Sequence, residues 1–352
     1  MSNDVVGMAS VLNDAGYEAE IFATHNLVPN TKICSVDALG GFLSGRDDIF
    51  LYHFSIGWDR GLHFLRSLKC RKVIKYHNVT PPQFFEGVNE DYANVCREGR
   101  AMLSDIGAIP ADLFLSDSAY NMRELISAGA SGARSFVVPP FHQVDRLLKG
   151  EAAFETLDEL RDGFTNILMV GRLAPNKGHV MLVRAFAAYH SQYNPLSRLL
   201  IVGKHDPRLS GYLDAVRAEI REAGLERSVR FTQEVSEAEL RAYFMAAHVF
   251  AITSEHEGFC VPMVEAMAYH VPVVACASSA ITETLGFAGI LWPERDPQLL
   301  AGSIDALVTN PDLAEGVGHL GSERYRMHFD NSLIADAFLN AMTPVLRKGP
   351  AR

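Results

Sequence analysis

An α/β fold of two Rossmann-like domains is what the sequence predicts, and three observations predict it. Short apolar or β-branched runs alternate with helical patterns, the alternation runs through twice, and the pair Pro139-Pro140 stands between the two passes. Strand followed by helix, repeated, means parallel sheets covered by helices. Paired prolines end a strand because they offer no N–H to its ladder. With 352 residues the chain exceeds one ordinary core, and its 48% hydrophobic and 21% charged content is that of a folded protein.

Taken in order, residues 3–16 are already patterned as a helix, where a doubly wound domain opens with a central strand and a glycine turn. The expectation is a first strand lying outside this numbering, or an unconventional start. Strand-like runs follow at 20–23, 48–53, 72–76, 113–116 and 135–138, which close a first domain at 1–140. A polar stretch at 142–164 reads as a linker into the second domain, 141–325. Its strands are expected at 166–170, 198–202, 229–231, 249–252 and 272–275, with helices at 181–189, 211–223 and 237–247. The tail, 326–352, is a helical pattern with Phe329, Leu333, Ile334, Phe338 and Met342 on one face. Two such domains leave a cleft at the carboxyl ends of their strands, where ligands bind in open α/β sheets.

Charge and cysteine usage exclude several functions. A formal net charge of −10 without a basic stripe argues against nucleic acid as a partner. No apolar run reaches membrane-spanning length, and residues 1–10 lack the pattern of a secretory leader. The five cysteines, Cys34, Cys70, Cys96, Cys260 and Cys276, are odd in number and scattered. They form neither a disulfide framework nor a zinc-binding spacing, and read as reduced thiols of a cytoplasmic protein.

Against that acidic background, GRLAPNKG (171–178) places Arg172 and Lys177 around a glycine turn, between an apolar strand and a helix from His179. Backbone N–H groups at a helix start carry partial positive charge, so two exposed cations there make an anion site. A solvated turn explains this stretch alone equally well. Some eighty residues on, SEHEGFCVPMVEAMAYHVPVVA carries Glu257 and Glu265 with seven residues between them. Pro262 suits a first helical turn, which leaves Glu257 in the loop before the helix and Glu265 about one turn inside it. Gly258, Phe259 and Cys260 offer consecutive backbone N–H groups there. Carboxylates for hydroxyls and backbone donors for other oxygens suit a polyhydroxylated ligand. A glutamate pair by itself is more often helix surface.

GRLAPNKG, then EGFCVPMVEAMAYHVPVV, Ser278-Ser279 and GILWPERDP, together resemble the retaining glycosyltransferases of family 4, of GT-B fold. The resemblance implies α-retaining sugar transfer from a nucleotide-diphosphate sugar, with no metal and no other cofactor. It implies that Gly171, Arg172 and Lys177 meet the diphosphate. It gives Glu257 a place beside the donor sugar and Glu265 the ribose hydroxyls. The backbone of Gly258, Phe259 and Cys260 would cradle the sugar, although glycine is usual where Cys260 stands. It also sends the C-terminal helix back to the first domain. Fixed cations near the leaving diphosphate would lower the barrier to its departure.

In the first half, KYHNVTPPQFF (75–85) places His77 at a strand's carboxyl end. YHN-[hydrophobic]-TP is similar to the acetan- and xanthan-type mannosyltransferases of that family. This implies GDP-mannose as donor, a polyprenyl-diphosphate-linked glycan as acceptor, and a role for His77 near the donor sugar. Ser118 resembles a further active-site position, and reads equally as a helix N-cap. His53, between two aromatics, reads as packed and is set aside. Phe84-Phe85 reads as a satellite core or as peripheral contact with the inner membrane face. Base selection falls to the loop 232–235, where Glu234 is placed to accept from guanine. The competing readings are a GT-B sugar-nucleotide epimerase and a non-catalytic nucleotide-sugar-binding protein; the chain is too short for a phosphorylase.

Overall fold

The computed structural model describes residues 1–25, 28, 31–43 and 45–346. The end of the expected C-terminal span, 347–352, lies outside them. The chain forms two compact units, each a parallel sheet with helices packed on it, as the predicted α/β class requires. The first takes Met1–Pro82, Asn94–His142 and the stretch from Asp330; the second takes Gln83–Ala93 and Gln143–Phe329.

The first unit opens with helix Ser2–Asp14 and a parallel pair of strands, β1 (Ile21–Ala23) and β2 (Ile33–Ser35). Its main sheet runs β3 (Ile49–Phe54), β4 (Arg71–Tyr76), β5 (Leu113–Ser116), β6 (Ser135–Val137), each parallel to the next. Side chains alternate across a strand, so the sheet has two different faces. Tyr52, Phe54, Ile74, Tyr76 and Phe114 pack on one. Val73, Leu113 and Leu115 pack on the other, against Met8 and against Ile334, Phe338 and Met342 of helix Asn331–Met342. Fully burying a side chain of this size contributes about 1.5–3 kcal/mol.

The second unit is a six-stranded parallel sheet of β7 (Thr165–Val170), β8 (Ser197–Val202), β9 (Val229–Phe231), β10 (Val249–Ile252), β11 (Val273–Cys276) and β12 (Ile290–Trp292). Their order across the sheet is β12-β11-β10-β7-β8-β9. β7 thus pairs with β8 on one side and β10 on the other, and the order reverses between them. A doubly wound sheet opens its ligand crevice at that switch point. The turn 171–178 follows β7 and the stretch 253–260 follows β10, so both sequence motifs flank it.

Three differences from the sequence reading have local causes. The expected linker at 142–164 contains helices Val144–Lys149 and Phe154–Leu160. Val144, Leu147 and Leu160 are buried, too few apolar anchors to stand out in a polar stretch. β2 and β12, three residues each and neither fully buried, are additional to the strands the sequence predicts. The tail is not one helix: a wide turn at Tyr325–Phe329 ends at Asp330, whose carboxylate accepts the Ser332 N–H and starts a new helix. Phe329 therefore leaves the face it was expected to share with Phe338 and packs edge-on against Phe259, 5.4 Å away, in the second unit.

Candidate active site

At the switch point, the loops after β7 and β10 are sewn together by backbone. Gly178 sits at φ 67°, and a Cβ there would lie 2.2 Å from the Thr253 carbonyl oxygen, so no other residue fits. The Thr253 hydroxyl donates to the Gly178 carbonyl at 2.9 Å. Asn176 closes the next rung: its side-chain amide donates to the His256 carbonyl at 3.0 Å, and its carbonyl accepts the Glu255 N–H at 2.8 Å. Arg295 donates to the Thr253 carbonyl at 2.8 Å.

This seam brings Lys177 and Glu257 face to face, Nζ to Oε1 at 2.6 Å. Ser254 Oγ donates to the same oxygen at 2.8 Å, and Ser279 Oγ accepts the Glu257 N–H at 2.7 Å. The Lys177 side chain is only 15% exposed, so the expectation of two exposed cations holds for Arg172 and not for Lys177. Burial favours the pairing, because an unpaired ammonium here would lose hydration without return.

Cys260 stands at φ 81° and ψ 69°, directly before helix Val261–Ala268, with Pro262 in its first turn. The left-handed conformation explains why glycine is usual there: an L-residue pays about 1–2 kcal/mol for it. The thiol is buried among Met263 and its neighbours, and burial pushes its pKa up, so it is an apolar filler rather than a nucleophile. Phe259 is likewise core, and beside the ligand crevice only the backbone of Gly258–Cys260 remains to be offered. Glu265, on the helix, is partly buried, and desolvation pushes its carboxyl up to about 7. Glu234 is exposed, 3.3 Å from Lys204. Gly171, Arg172, Lys177, Glu234, Glu257, Gly258, Phe259, Cys260 and Glu265 all belong to the second unit.

His77 belongs to the first, directly after β4. Tyr76 is in register with Ser116, so His77 and Asp117 end adjacent strands side by side, with Nδ1 3.0 Å from Oδ2. Lys75, two residues back on the same face, is fully buried; its ammonium lies 2.8 Å from Asp117 Oδ1 and donates to the Val138 carbonyl. His53 is in register with Lys75 on β3, and its Nδ1 lies 2.8 Å from His77 Nε2. Asp4, from the first helix, accepts the Phe141 N–H at 2.8 Å and holds its other oxygen 3.7 Å from His77 Nε2. The face that is apolar at Val73, Leu113 and Leu115 thus turns ionic at its carboxyl end. His77 and Lys75 beside Asp117 hold its carboxyl below the usual range against a strong desolvation penalty, while burial pushes Asp4 up.

Asp4, His53 and His77 each bring a ligand-type atom within 4.8 Å of one another. Two nitrogens on a tetrahedral zinc stand about 3.3 Å apart. The 2.8 Å between His53 and His77 fits a hydrogen bond better, and the Lys75 ammonium 3.9 Å from Asp4 repels a cation.

Sequence reasoning set His53 aside, and it missed Asp4, Lys75 and Asp117. The two-residue alternation along β3 and β4 was the available signal for His53, Lys75 and His77. Ser118 caps helix Ala119–Ser127 by accepting the Asn121 N–H at 3.1 Å. Phe85 is buried against Tyr92, ring centroids 5.1 Å apart, which favours the satellite-core reading of that aromatic pair.

Comparison with known proteins bears on the fold and on the second unit. Residues 158–323 match the family described as Glycosyl transferases group 1. Among curated relatives, a D-inositol 3-phosphate glycosyltransferase of Acidothermus cellulolyticus is 29% identical over 68% of this chain and 55% of its own length. A GDP-mannose-dependent alpha-(1-6)-phosphatidylinositol monomannoside mannosyltransferase of Mycolicibacterium smegmatis is 28% identical over 60% of this chain and 56% of its own. The chain thus spans about half the length of the curated relatives it matches. Among solved structures, sucrose-phosphate synthase from Thermosynechococcus elongatus superposes with a TM-score of 0.72 at 20% identity, covering 96% of this chain and 91% of that one. The fold is that of the GT-B glycosyltransferases.

Proposed function

We propose that the protein is a retaining, metal-independent glycosyltransferase. It moves mannose from GDP-mannose onto a glycan or polyprenyl-diphosphate-linked acceptor, at the cytoplasmic side of a membrane. The observation that carries this reading is the Lys177–Glu257 pair at the switch point, 2.6 Å apart. A diphosphate arriving at the turn 171–178 competes for the Lys177 ammonium, with Arg172 beside it. Glu257 is then released to accept a hydroxyl of the sugar, still oriented by Ser254 and Ser279. As the sugar–phosphate bond breaks, negative charge grows on the leaving oxygen, and a cation already in place stabilises it without reorganisation. Glu265 on the following helix serves the ribose, and the backbone of Gly258–Cys260 the remaining sugar oxygens.

Mannose and guanine rest on the YHNVTP resemblance and on two relatives named for GDP-mannose. Incubation with GDP-mannose and a lipid-linked disaccharide, in the presence of chelator, tests the whole reading. The expected product is an α-linked mannoside seen by proton NMR. Tighter binding of UDP than of GDP would remove the mannose assignment alone. Sugar-nucleotide conversion without acceptor would point to an epimerase, and binding without turnover to a non-catalytic protein.

A further inference from the structure

We propose that His53 is a positioning residue that fixes the tautomer and the ring plane of His77. The inference rests on the proposed glycosyltransferase function in one respect, the role near the donor sugar that the YHN-[hydrophobic]-TP resemblance gives His77. The contact itself is independent of that reading.

The proton bookkeeping follows from the chain Lys75–Asp117–His77–His53. Asp117 faces the Lys75 ammonium at 2.8 Å through one oxygen and His77 Nδ1 at 3.0 Å through the other. An ionised carboxylate only accepts, so His77 Nδ1 must carry a hydrogen. In the neutral ring Nε2 then has a lone pair, and the group placed to donate to it is His53 Nδ1 at 2.8 Å. His53 is left neutral, with its own lone pair on Nε2; burial and the cations around it hold its pKa low. The two rings lie nearly parallel, 15° between planes, with centroids 5.1 Å apart. Were His77 to take up a proton at Nε2, the same bond would reverse: His77 would donate, and His53 would shift its single hydrogen to Nε2. No heavy atom need move. The charged groups facing this pair are Asp4 from the first helix, Lys75 on β4, Asp117 after β5 and the N-terminal amine.

Asp117 alone pins one nitrogen and leaves the ring free to tilt about that bond. His53 supplies the second point, which defines the plane. His77 Nε2 therefore has a fixed position before any ligand arrives.

The test compares His53→Phe, which removes the partner nitrogen, with His53→Asn, whose amide sits where Nδ1 was. Nitrogen-15 NMR of the histidine rings in the ligand-free protein reads the contact without any turnover. The expected result is a shift of the His77 Nε2 resonance by several ppm in His53→Phe, largely restored in His53→Asn. With GDP-mannose, kcat is expected to fall about ten-fold in His53→Phe while the donor KM stays within two-fold, and His53→Asn recovers most of the loss. An unmoved His77 resonance in folded His53→Phe overturns the proposal, as does loss through KM alone. Wild-type protein inert toward nucleotide sugars sinks the functional reading instead, and the His77 resonance still decides the pairing.

Discussion

Lys177 carries two loads, its pair with Glu257 and the proposed hold on a leaving diphosphate, and a single substitution separates them. Lys177→Ala is expected to lower turnover by about 10²–10³, the range for losing one electrostatic donor. Because Glu257 is then left with Ser254 alone on Oε1, melting should also drop measurably, unlike Arg172→Ala at an exposed site. Steady-state kinetics with a thermal melt reads both, and unchanged turnover would remove the diphosphate assignment. Glu265 gives a pH signature. Its folded pKa near 7 lies above the ordinary carboxylate value, so its neutral form favours the fold below that value and the contribution is lost as pH rises through about 7. Ribose hydroxyls bind best to the ionised form, so GDP binding should tighten from pH 6 to 8 and release protons. Calorimetry in buffers of different ionisation enthalpy would show it. Glu265→Gln should abolish the proton release, and persistence of the release would refute the role. Glu257→Ala should leave GDP affinity almost intact while impairing transfer.

At the scale of elements, what the sequence revealed and what it hid have the same physical origin. Strands β1 and β3 to β11 were legible within about a residue, because parallel strands packed under helices read as apolar runs between turn residues. The turn 171–178 and the helix start at Val261 were legible because glycine and proline each have positions there that suit them. The ionic cluster in the first unit was not. His53, Lys75, His77 and Asp117 come from three strands, and only the register between those strands makes them neighbours. Period-two alternation gives the face but not the register. The stretch 253–260 also supplies a prediction about strain. Cys260→Gly relieves the left-handed backbone but loses a buried thiol and gains unfolded-state freedom, so its stability should lie within about 1 kcal/mol of wild type. Cys260→Val, β-branched at φ 81°, should cost about 1–3 kcal/mol. Urea unfolding of the two variants decides, and a stable valine variant would mean that the loop can leave this conformation.

For the whole molecule, the C-terminal helix shows how one residue divides a sequence pattern between two cores. The apolar face read from Phe329 to Met342 looks continuous, yet Asp330 breaks it. Phe329 stays with Phe259 in the second unit, and Ile334, Phe338 and Met342 complete the core of the first, against Val73, Leu113 and Leu115. The first unit therefore depends on a segment nearly two hundred residues beyond its own last strand, β6, and cannot finish folding until that segment is made. Phe338 is fully buried there, and Phe338→Ala should cost about 3–5 kcal/mol. Spread over a unit of this size, the loss corresponds to roughly 6–20 °C of melting temperature. Differential scanning calorimetry with and without GDP separates the two units, since a ligand raises only the transition of the unit that binds it. The expected outcome is a lowered transition for the first unit, with the GDP-dependent rise of the other intact. If Phe338→Ala leaves both transitions where they were, the helix is not part of the first core.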